Sequence, residues 1–327
     1  MLGLPGNPIE AVSVLARKDR FRAFLADNGF VVPKTRTIAS TAEALEAAAD
    51  FPGEIMVKPV DSSGSRGITR LGPGQRTAER LAAAAARALG FSRAKRAVIE
   101  EYLPRQGYHL GGDGFLVDGQ LAVCRLGNDH HCESFNPLVP IGHSFPSVWS
   151  ESEQSRIRAL VQDIMTRLGM RIGGLNFDIH LLPDGRIFVI EIGPRAGGNL
   201  IAEVVSLATG EDMVEAAVLS ALGAPVRFAA PRWRGCFASH VLHIKRPGIF
   251  QGLHIADALA PHVEERRLYF QPGARFTAEQ VDNHRLYGAL ILRFDDVRQM
   301  TETMDRLDRL VWAEVSERES GARRARA

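Results

Sequence analysis

Residues 173–201 read GGLNFDIHLLPDGRIFVIEIGPRAGGNLI, and this stretch decides the fold. Residues 176–182 alternate and are rich in β-formers. Residues 186–192 form a second apolar run, and Pro183-Asp184-Gly185 between the two is turn chemistry. The stretch therefore predicts two strands joined by a tight turn. Asp178 and Glu191, 13 residues apart, fall one on each strand. Antiparallel pairing around the turn brings the two carboxylates together. An acid inside IFVIEI is costly unless it has a partner. Two readings follow. In one, the carboxylates hold a hard cation, Mg²⁺ by its preference for oxygen ligands. Arg195, four residues after Glu191 in a Gly-rich turn, then points a cation at an anionic intermediate. In the other, one acid faces solvent and its neighbour pairs with Arg195.

Composition narrows the setting. The chain has 327 residues, enough for two domains. Apolar residues at 45% and charged residues at 24% are those of a soluble globular protein. A net charge of +2 gives no footprint for a nucleic-acid partner. Cys124, Cys132 and Cys236 have neither zinc-like nor redox-like spacing, so no disulfide framework is expected. No apolar run approaches the ~20 residues of a membrane span. The opening MLGLPGNPIEAV has no basic n-region and no apolar h-region, so it is not a signal peptide. A cytoplasmic protein without membrane contact is expected.

Working outward toward the N-terminus, residues 1–7 read as a loop and residues 9–28 as one helix stopped by Gly29. Lys18 and Arg22, four apart, read by themselves as a solvated face of that helix. A short strand over 31–38 and a helix over 40–50 follow. Residues 54–70, EIMVKPVDSSGSRGITR, then run a strand into a Ser/Gly loop and out into a second strand. Lys58 stands at the end of the apolar strand, where it either snorkels or meets a phosphate. The loop offers backbone N–H groups, the hydroxyls of Ser62, Ser63 and Ser65, and the guanidinium of Arg66, the groups that wrap polyphosphate. It is not a Walker A loop, because GxxxxGK[ST] is missing.

Residues 77–89 are a strong helix with a Gly90 stop. Residues 97–103, AVIEEYL, are an apolar strand. Its end, with the backbone of Glu101 and Leu103, suits the edge of a flat purine; two solvated acids at a strand end are the plainer alternative. Residues 108–124 read as a hairpin turning at Asp118-Gly119, with Asp113 inside it placed for a ribose or a metal. Residues 126–147 read as an irregular polar lid or substrate loop containing His130, His131, Glu133 and His143. HHxE is not a zinc pattern. An amphipathic helix over 150–168 leads into the central hairpin. Residues 199–222 are mostly helical. Beyond them stand strands over 236–244 and 289–294, a Gly/Pro-rich middle, a last helix over 297–317, and a charged, frayed tail.

Taken in order, KPVDSSGSRGI, IEEYL and NFDIHLLPDGRIFVIEIGPRAGGN resemble the ATP-grasp superfamily across roughly residues 8–225. The resemblance implies an α+β fold in which two lobes clamp ATP, with a small C-terminal α/β unit. It implies that Lys58 binds phosphate under the Ser62, Ser63 and Ser65 loop, and that Lys18 is a second phosphate lysine. It places Glu100 near the adenine amino group, with Glu101 and Leu103 contacting the base through backbone. Asp178 and Glu191 match the family's two acidic Mg²⁺ ligands. Arg195 matches the arginine that steadies the acyl phosphate and its tetrahedral successor. Asp113 is the candidate for the ribose. Two departures stand out: Gly193 occupies the position of an asparagine ligand, for which Asn176, Asn199 or water would have to substitute, and the usual strand-helix domain before residue 8 is missing.

The expected organisation is an opening segment and helix (1–30), a small lobe (31–105), a large lobe with the metal hairpin (106–225), a C-terminal unit (226–317) and a flexible tail (318–327). The expected activity is an ATP- and Mg²⁺-dependent ligase joining a small-molecule carboxylate to an amine. The alternatives are a member forming a thioester or phosphorylated product, or a nucleotide-binding regulatory subunit without turnover. A homodimer is the base-rate expectation.

Overall fold

The computed structural model describes residues 4–132, 136–278, 281 and 286–317. Glu133 and the tail over 318–327 lie outside the described residues. The chain forms two compact units of interleaved segments. The first comprises Met1–Asn128, Ser147–Gly198 and Glu211–Pro231, and the second Asp129–Pro146, Asn199–Gly210 and Arg232–Ala327.

The first unit has two antiparallel four-stranded sheets. One runs in the order Thr35–Ile38, Ala97–Glu101, Ile55–Pro59, Thr69–Leu71. Helices Thr41–Ala48 and Ala78–Phe91 cover it, and Ala85, Ala88, Ile55 and Ile99 meet in its core. The other runs Ile187–Gly193, Gly173–Leu181, Leu110–Val117, Gln120–Leu126. Its hairpin turns at Asp118-Gly119, both with positive φ, which is the geometry such a two-residue turn requires. The helix Glu151–Leu168 lies against this sheet. Its Ser150 and Glu153 form a reciprocal cap, and Gly169 ends it in the left-handed region. The glycines in Leu110–Val117 have a packing reason. A Cβ at Gly112 would lie 2.1 Å from the Arg125 carbonyl oxygen, and one at Gly114 would lie 2.6 Å from the Phe177 ring.

The second unit has a five-stranded sheet in the order Val263–Leu268, Leu286–Phe294, Cys236–His243, Asn136–Phe145, Asn128–Cys132. A three-stranded sheet orders Arg275–Phe276, Gly248–Ile255, Val311–Ser316. Helix Val297–Met304 packs on the larger sheet, and its Met300 and Met304 enter a core with Leu242, Leu290 and Leu292.

Three expectations are corrected. The helix expected over 9–28 is two helices, Ile9–Leu15 and Lys18–Asp27. Arg17 between them is extended, and the Lys18 N–H donates to the Val60 carbonyl at 2.8 Å. That break turns Lys18 and Arg22, expected on a solvated face, into the interior. The segment 126–147 is not an irregular lid, because it contributes the strands Asn128–Cys132 and Asn136–Phe145. Its polar residues are buried in pairs: His143 Nδ1 lies 2.6 Å from Asp129, and His130 bridges Ser144 and Asp305 at 2.8 Å each. Paired burial erased the apolar alternation that marks a strand. The helix expected over 297–317 is Val297–Met304 followed by the short helix Leu307–Leu310, after which the chain becomes the strand Val311–Ser316, paired with Gly248–Ile255. The Gly/Pro-rich middle therefore holds strands as well.

Candidate functional site

The two acids of the central hairpin face each other because of a single extra residue. Ile187, Phe188 and Val189 pair with Leu181, His180 and Ile179, and the next pair is Glu191 with Asp178. Ile190 is the bulge. In an unbroken ladder Ile190 would oppose Asp178, and Glu191 would oppose Phe177 on the other face. The bulge is held from outside the sheet, since Arg22 Nη1 donates to the Ile190 carbonyl at 2.9 Å.

Both carboxylates are open enough to accept a ligand, with side-chain exposures of 43% for Asp178 and 26% for Glu191. Lys18 Nζ lies 2.8 Å from Glu191 Oε2 and also donates to the Ser62 carbonyl at 2.9 Å. Lys18 thus ties the hairpin to the Ser/Gly loop. His109 Nε2 lies 3.5 Å from Asp178 Oδ1, and its other ring nitrogen faces His180 at 3.2 Å. Burial, with the His109 charge behind it, pushes His180 down to about 2, so His180 is a neutral ring. Glu191 pairs with Lys18 and not with Arg195, which overturns the reading of a hairpin closed by that arginine.

Lys58 is buried at the end of the strand Ile55–Pro59 and forms an ion pair with Glu100. Arg22 completes a triad, its Nε 3.0 Å from Glu100 Oε2 and its guanidinium over the Phe188 ring. Burial alone would raise the Glu100 carboxyl, but the charges of Arg22 and Lys58 prevail and hold it at about 2. Burial pulls Lys58 below the usual lysine range, against the opposing pull of Glu100. Glu100, expected beside an adenine amino group, is instead closed by these two cations. Two cations and one anion leave the triad one net positive charge. The hinge backbone is partly committed: the Glu101 N–H donates to Lys34 and the Tyr102 N–H to Glu54, both at 2.9 Å. Leu103 is half-buried beyond them.

The Ser/Gly loop bends through consecutive left-handed residues, Gly64 and Ser65, with Gly67 in the same region. Ser63 receives Arg66 at its carbonyl (3.2 Å) and its hydroxyl (3.4 Å). Ser62 and Ser65 are half-exposed.

Asp113, the candidate for the ribose, is engaged within the protein. It is fully buried, both its oxygens accept from the Gly197 N–H at 2.9 Å, and Asn176 Nδ2 donates to it at 3.0 Å. It anchors the Gly-rich turn that carries Arg195. Arg195 is exposed and donates from Nη1 to Asn176 Oδ1 at 3.0 Å. Gly193 pairs across the strands with Asn176, and a Cβ at Gly193 would lie 3.3 Å from the Arg195 guanidinium carbon. Arg195 thus fills the space beside Gly193 and occupies the Asn176 oxygen. Asp178 and Glu191 are the hairpin's two open oxygen donors. Adjacent, partly exposed carboxylates of this kind fit a hard divalent cation, with water completing the shell.

Arg22 and His109 were missed by sequence reasoning as members of this site, and Asn176, named as a stand-in ligand, holds Arg195 and Asp113. The Lys18-Arg22 spacing was visible, but the helix break that buries both was not.

No protein-family profile matches the chain. Among curated proteins it is 27% identical over 276 residues to the uncharacterized protein y4rH of Sinorhizobium fredii, covering 83% of this chain and 55% of that protein. It is 27% identical over 227 residues to the N-terminal section of the carbamoyl phosphate synthase large chain of Methanopyrus kandleri, covering 67% of this chain and 38% of that one. The chain thus spans about half the length of the first relative and less of the second. Among solved structures, the L-amino acid ligase from Bacillus licheniformis superposes with a TM-score of 0.74 at 17% identity, over 96% of this chain and 76% of that one. The α+β fold is the ATP-grasp fold, as the motifs implied.

Proposed function

We propose that this chain is an ATP-dependent ligase that activates a small-molecule carboxylate as an acyl phosphate and joins it to an amine, releasing ADP and phosphate. The observation that carries the reading is the bulge at Ile190, which sets Glu191 opposite Asp178 with Lys18 beside them. The likeness to an L-amino acid ligase supports the amide-forming class.

Asp178 and Glu191 would hold Mg²⁺, whose chemistry is to neutralise phosphate charge and favour in-line transfer. Lys18 exchanges its contact with Glu191 for a phosphate oxygen when nucleotide arrives. Lys58, one cation of a positive triad, adds to the field over the phosphates. The loop bearing Ser62, Ser63 and Ser65 covers them and excludes water from the acyl phosphate. Glu101 and Leu103 take the base through backbone groups at the hinge. Arg195, exposed on an anchored turn, offsets charge on the acyl oxygen as the amine attacks. No covalent enzyme intermediate is needed, so no activated serine or cysteine is required.

A second reading has its own support. Gly193 adds no oxygen donor, and Asn176 is occupied by Arg195, which favours a nucleotide-binding subunit without turnover. Formation of a thioester or a phosphorylated product is a third outcome. Among the described residues no helix is long and apolar enough to cross a membrane. Phosphate release from Mg-ATP against single and paired carboxylic acids and amines separates the readings. The ligase predicts release that needs one acid and yields an amide with one amine. ATP binding without release under every pairing overturns the ligase and leaves the regulatory subunit.

A further inference from the structure

Asp178 stands on the middle strand of three, and the hairpin uses only one of its two sides. On that side Glu191 opposes it. On the other side its cross-strand partner is Gly111, which brings no side chain. His109, the residue just before the strand Leu110–Val117, reaches Asp178 from there, with Nε2 3.5 Å from Oδ1. That separation exceeds the roughly 2.7–3.2 Å of an N–H···O hydrogen bond. Two ligands held about 2.1 Å from one divalent cation lie roughly 3.0–3.4 Å apart, so this pair needs to close only slightly on a shared ion.

The His109 ring is aimed by its neighbour. Its Nδ1 lies 3.2 Å from His180 Nε2, and the two rings meet edge to face with centroids 4.8 Å apart. His180 is 8% exposed and also packs edge-on against Phe188, so it is a fixed wall. His180 Nδ1 makes no full hydrogen bond among the described residues, and the Leu103 backbone draws a proton toward that ring. With the His180 proton on Nδ1, its Nε2 accepts from His109 Nδ1, and His109 Nε2 turns a lone pair to Asp178. Metal-ligating histidines use this arrangement, the second ring nitrogen donating to an outer acceptor.

We infer that His109 Nε2 is a direct ligand, beside Asp178, of the divalent cation at the hairpin, and that this imidazole shifts the site from Mg²⁺ toward a first-row transition ion. Mg²⁺ is a hard ion that takes oxygen donors, whereas a mixed nitrogen and oxygen set favours transition ions. His109 takes a position otherwise left to water and supplies a donor that Gly193 cannot. The inference rests on the reading of Asp178 as a cation ligand and adds the preference among ions.

The test is pulsed electron paramagnetic resonance of Mn²⁺ added to the full chain without nucleotide, with the bound ion titrated against Mg²⁺. Hyperfine coupling to an imidazole nitrogen is expected in the wild type. His109→Ala should abolish the coupling and lower the ratio of Mn²⁺ to Mg²⁺ affinity by about tenfold. His109→Asp, which returns an oxygen donor, should keep Mn²⁺ bound without the coupling and let Mg²⁺ compete better. Thermal melts check each fold, and His109→Asp carries the comparison if His109→Ala is unstable. The inference is overturned if Mn²⁺ that is lost in Asp178→Asn shows no nitrogen coupling in the wild type, the result expected when a proton on His109 faces Asp178 instead. It is equally overturned if the coupling persists in both His109 variants. Either pattern removes His109 and leaves Asp178 as a cation ligand. No Mn²⁺ binding at millimolar concentration overturns the inference together with the cation reading of the hairpin.

Discussion

Lys58–Glu100 and Lys18–Glu191 are the same pair of residue types in one unit, placed in opposite surroundings. The first is closed: Glu100 is 1% exposed, a second cation from Arg22 flanks it, and its carboxyl is held far below the usual range. The second is open: Glu191 is 26% exposed and the hairpin adds no further cation to it. A buried pair of this kind fixes architecture, because removing one partner leaves charge stranded without water. Lys18 is buried too, but it keeps the Ser62 carbonyl as an acceptor and the partly exposed Glu191 carboxylate can be solvated, so this pair is cheaper to separate. The difference teaches which lysine can change partners: Lys18 can leave Glu191 for a phosphate, whereas Lys58 acts from a fixed position.

Substitutions can break that contrast. The largest effect is expected for Glu100→Ala, which abandons Lys58 and Arg22 as like charges in the interior. It should cost about 3–5 kcal/mol of unfolding free energy, read by urea denaturation. Glu191→Gln should change stability by less than about 1 kcal/mol, yet lower Mg-ATP-dependent phosphate release by about a hundredfold or more. Equal destabilisation by the two variants would show that the pairs do not differ as described.

The same contrast has a pH signature. Glu100 titrates in the unfolded chain near its ordinary 4.5 and in the folded chain at about 2. Its folded value is depressed, so its stabilising contribution is complete above about pH 5 and is lost as pH falls toward 2. Unfolding free energy measured by urea denaturation between pH 5 and pH 3 should therefore fall in the wild type. In Glu100→Gln it should fall less steeply over the same window. Identical slopes would remove Glu100 from the acid sensitivity.

Smaller effects sharpen the open pair. Lys18→Met should leave Glu191 free for a cation, so Mn²⁺ binding without nucleotide should tighten by about tenfold, read by electron paramagnetic resonance. The same variant should bind ATP more weakly. Gly193→Ala should be the mildest change, within about 0.5 kcal/mol in stability, because the Arg195 guanidinium it meets is a movable side-chain end. If Arg195 serves the acyl oxygen, that displacement lowers the rate of amide formation while leaving ATP affinity unchanged.

Much of this was legible in the sequence for a simple reason. Alternation around Pro183-Asp184-Gly185 and the Ser/Gly loop after Lys58 are local signals, and local signals survive without coordinates. Asp178 and Glu191 were therefore placed on neighbouring strands. What could not be read was non-local. Nothing in IFVIEI marks Ile190 as the extra residue, since its environment comes from Arg22. The strands Asn128–Cys132 and Asn136–Phe145 were hidden because Asp129 and His143 satisfy each other when buried. Asp113 looked like a ligand contact because an acid in a strand asks for a partner, and its partner, the Gly197 N–H, lies 84 residues away. The conversion of residues 311–316 from helix to strand depends on a neighbour, Gly248–Ile255, that propensity does not see.

The hairpin obeys a rule of parity. Along a strand, odd and even positions look to opposite sides, so the alignment of Asp178 with Glu191 is a count that comes out right only with one residue out of step. The odd residue is Ile190, and the group that grips its carbonyl sits 168 positions earlier in the chain. Closing the bulge without losing a residue would invert the count and set Glu191 against Phe177, whereas deleting Ile190 itself would leave the two acids opposed in a regular ladder. The phase of the hairpin is thus kept by a helix that is no part of it, and Arg22 works as the escapement that prevents the strand from slipping by one tooth.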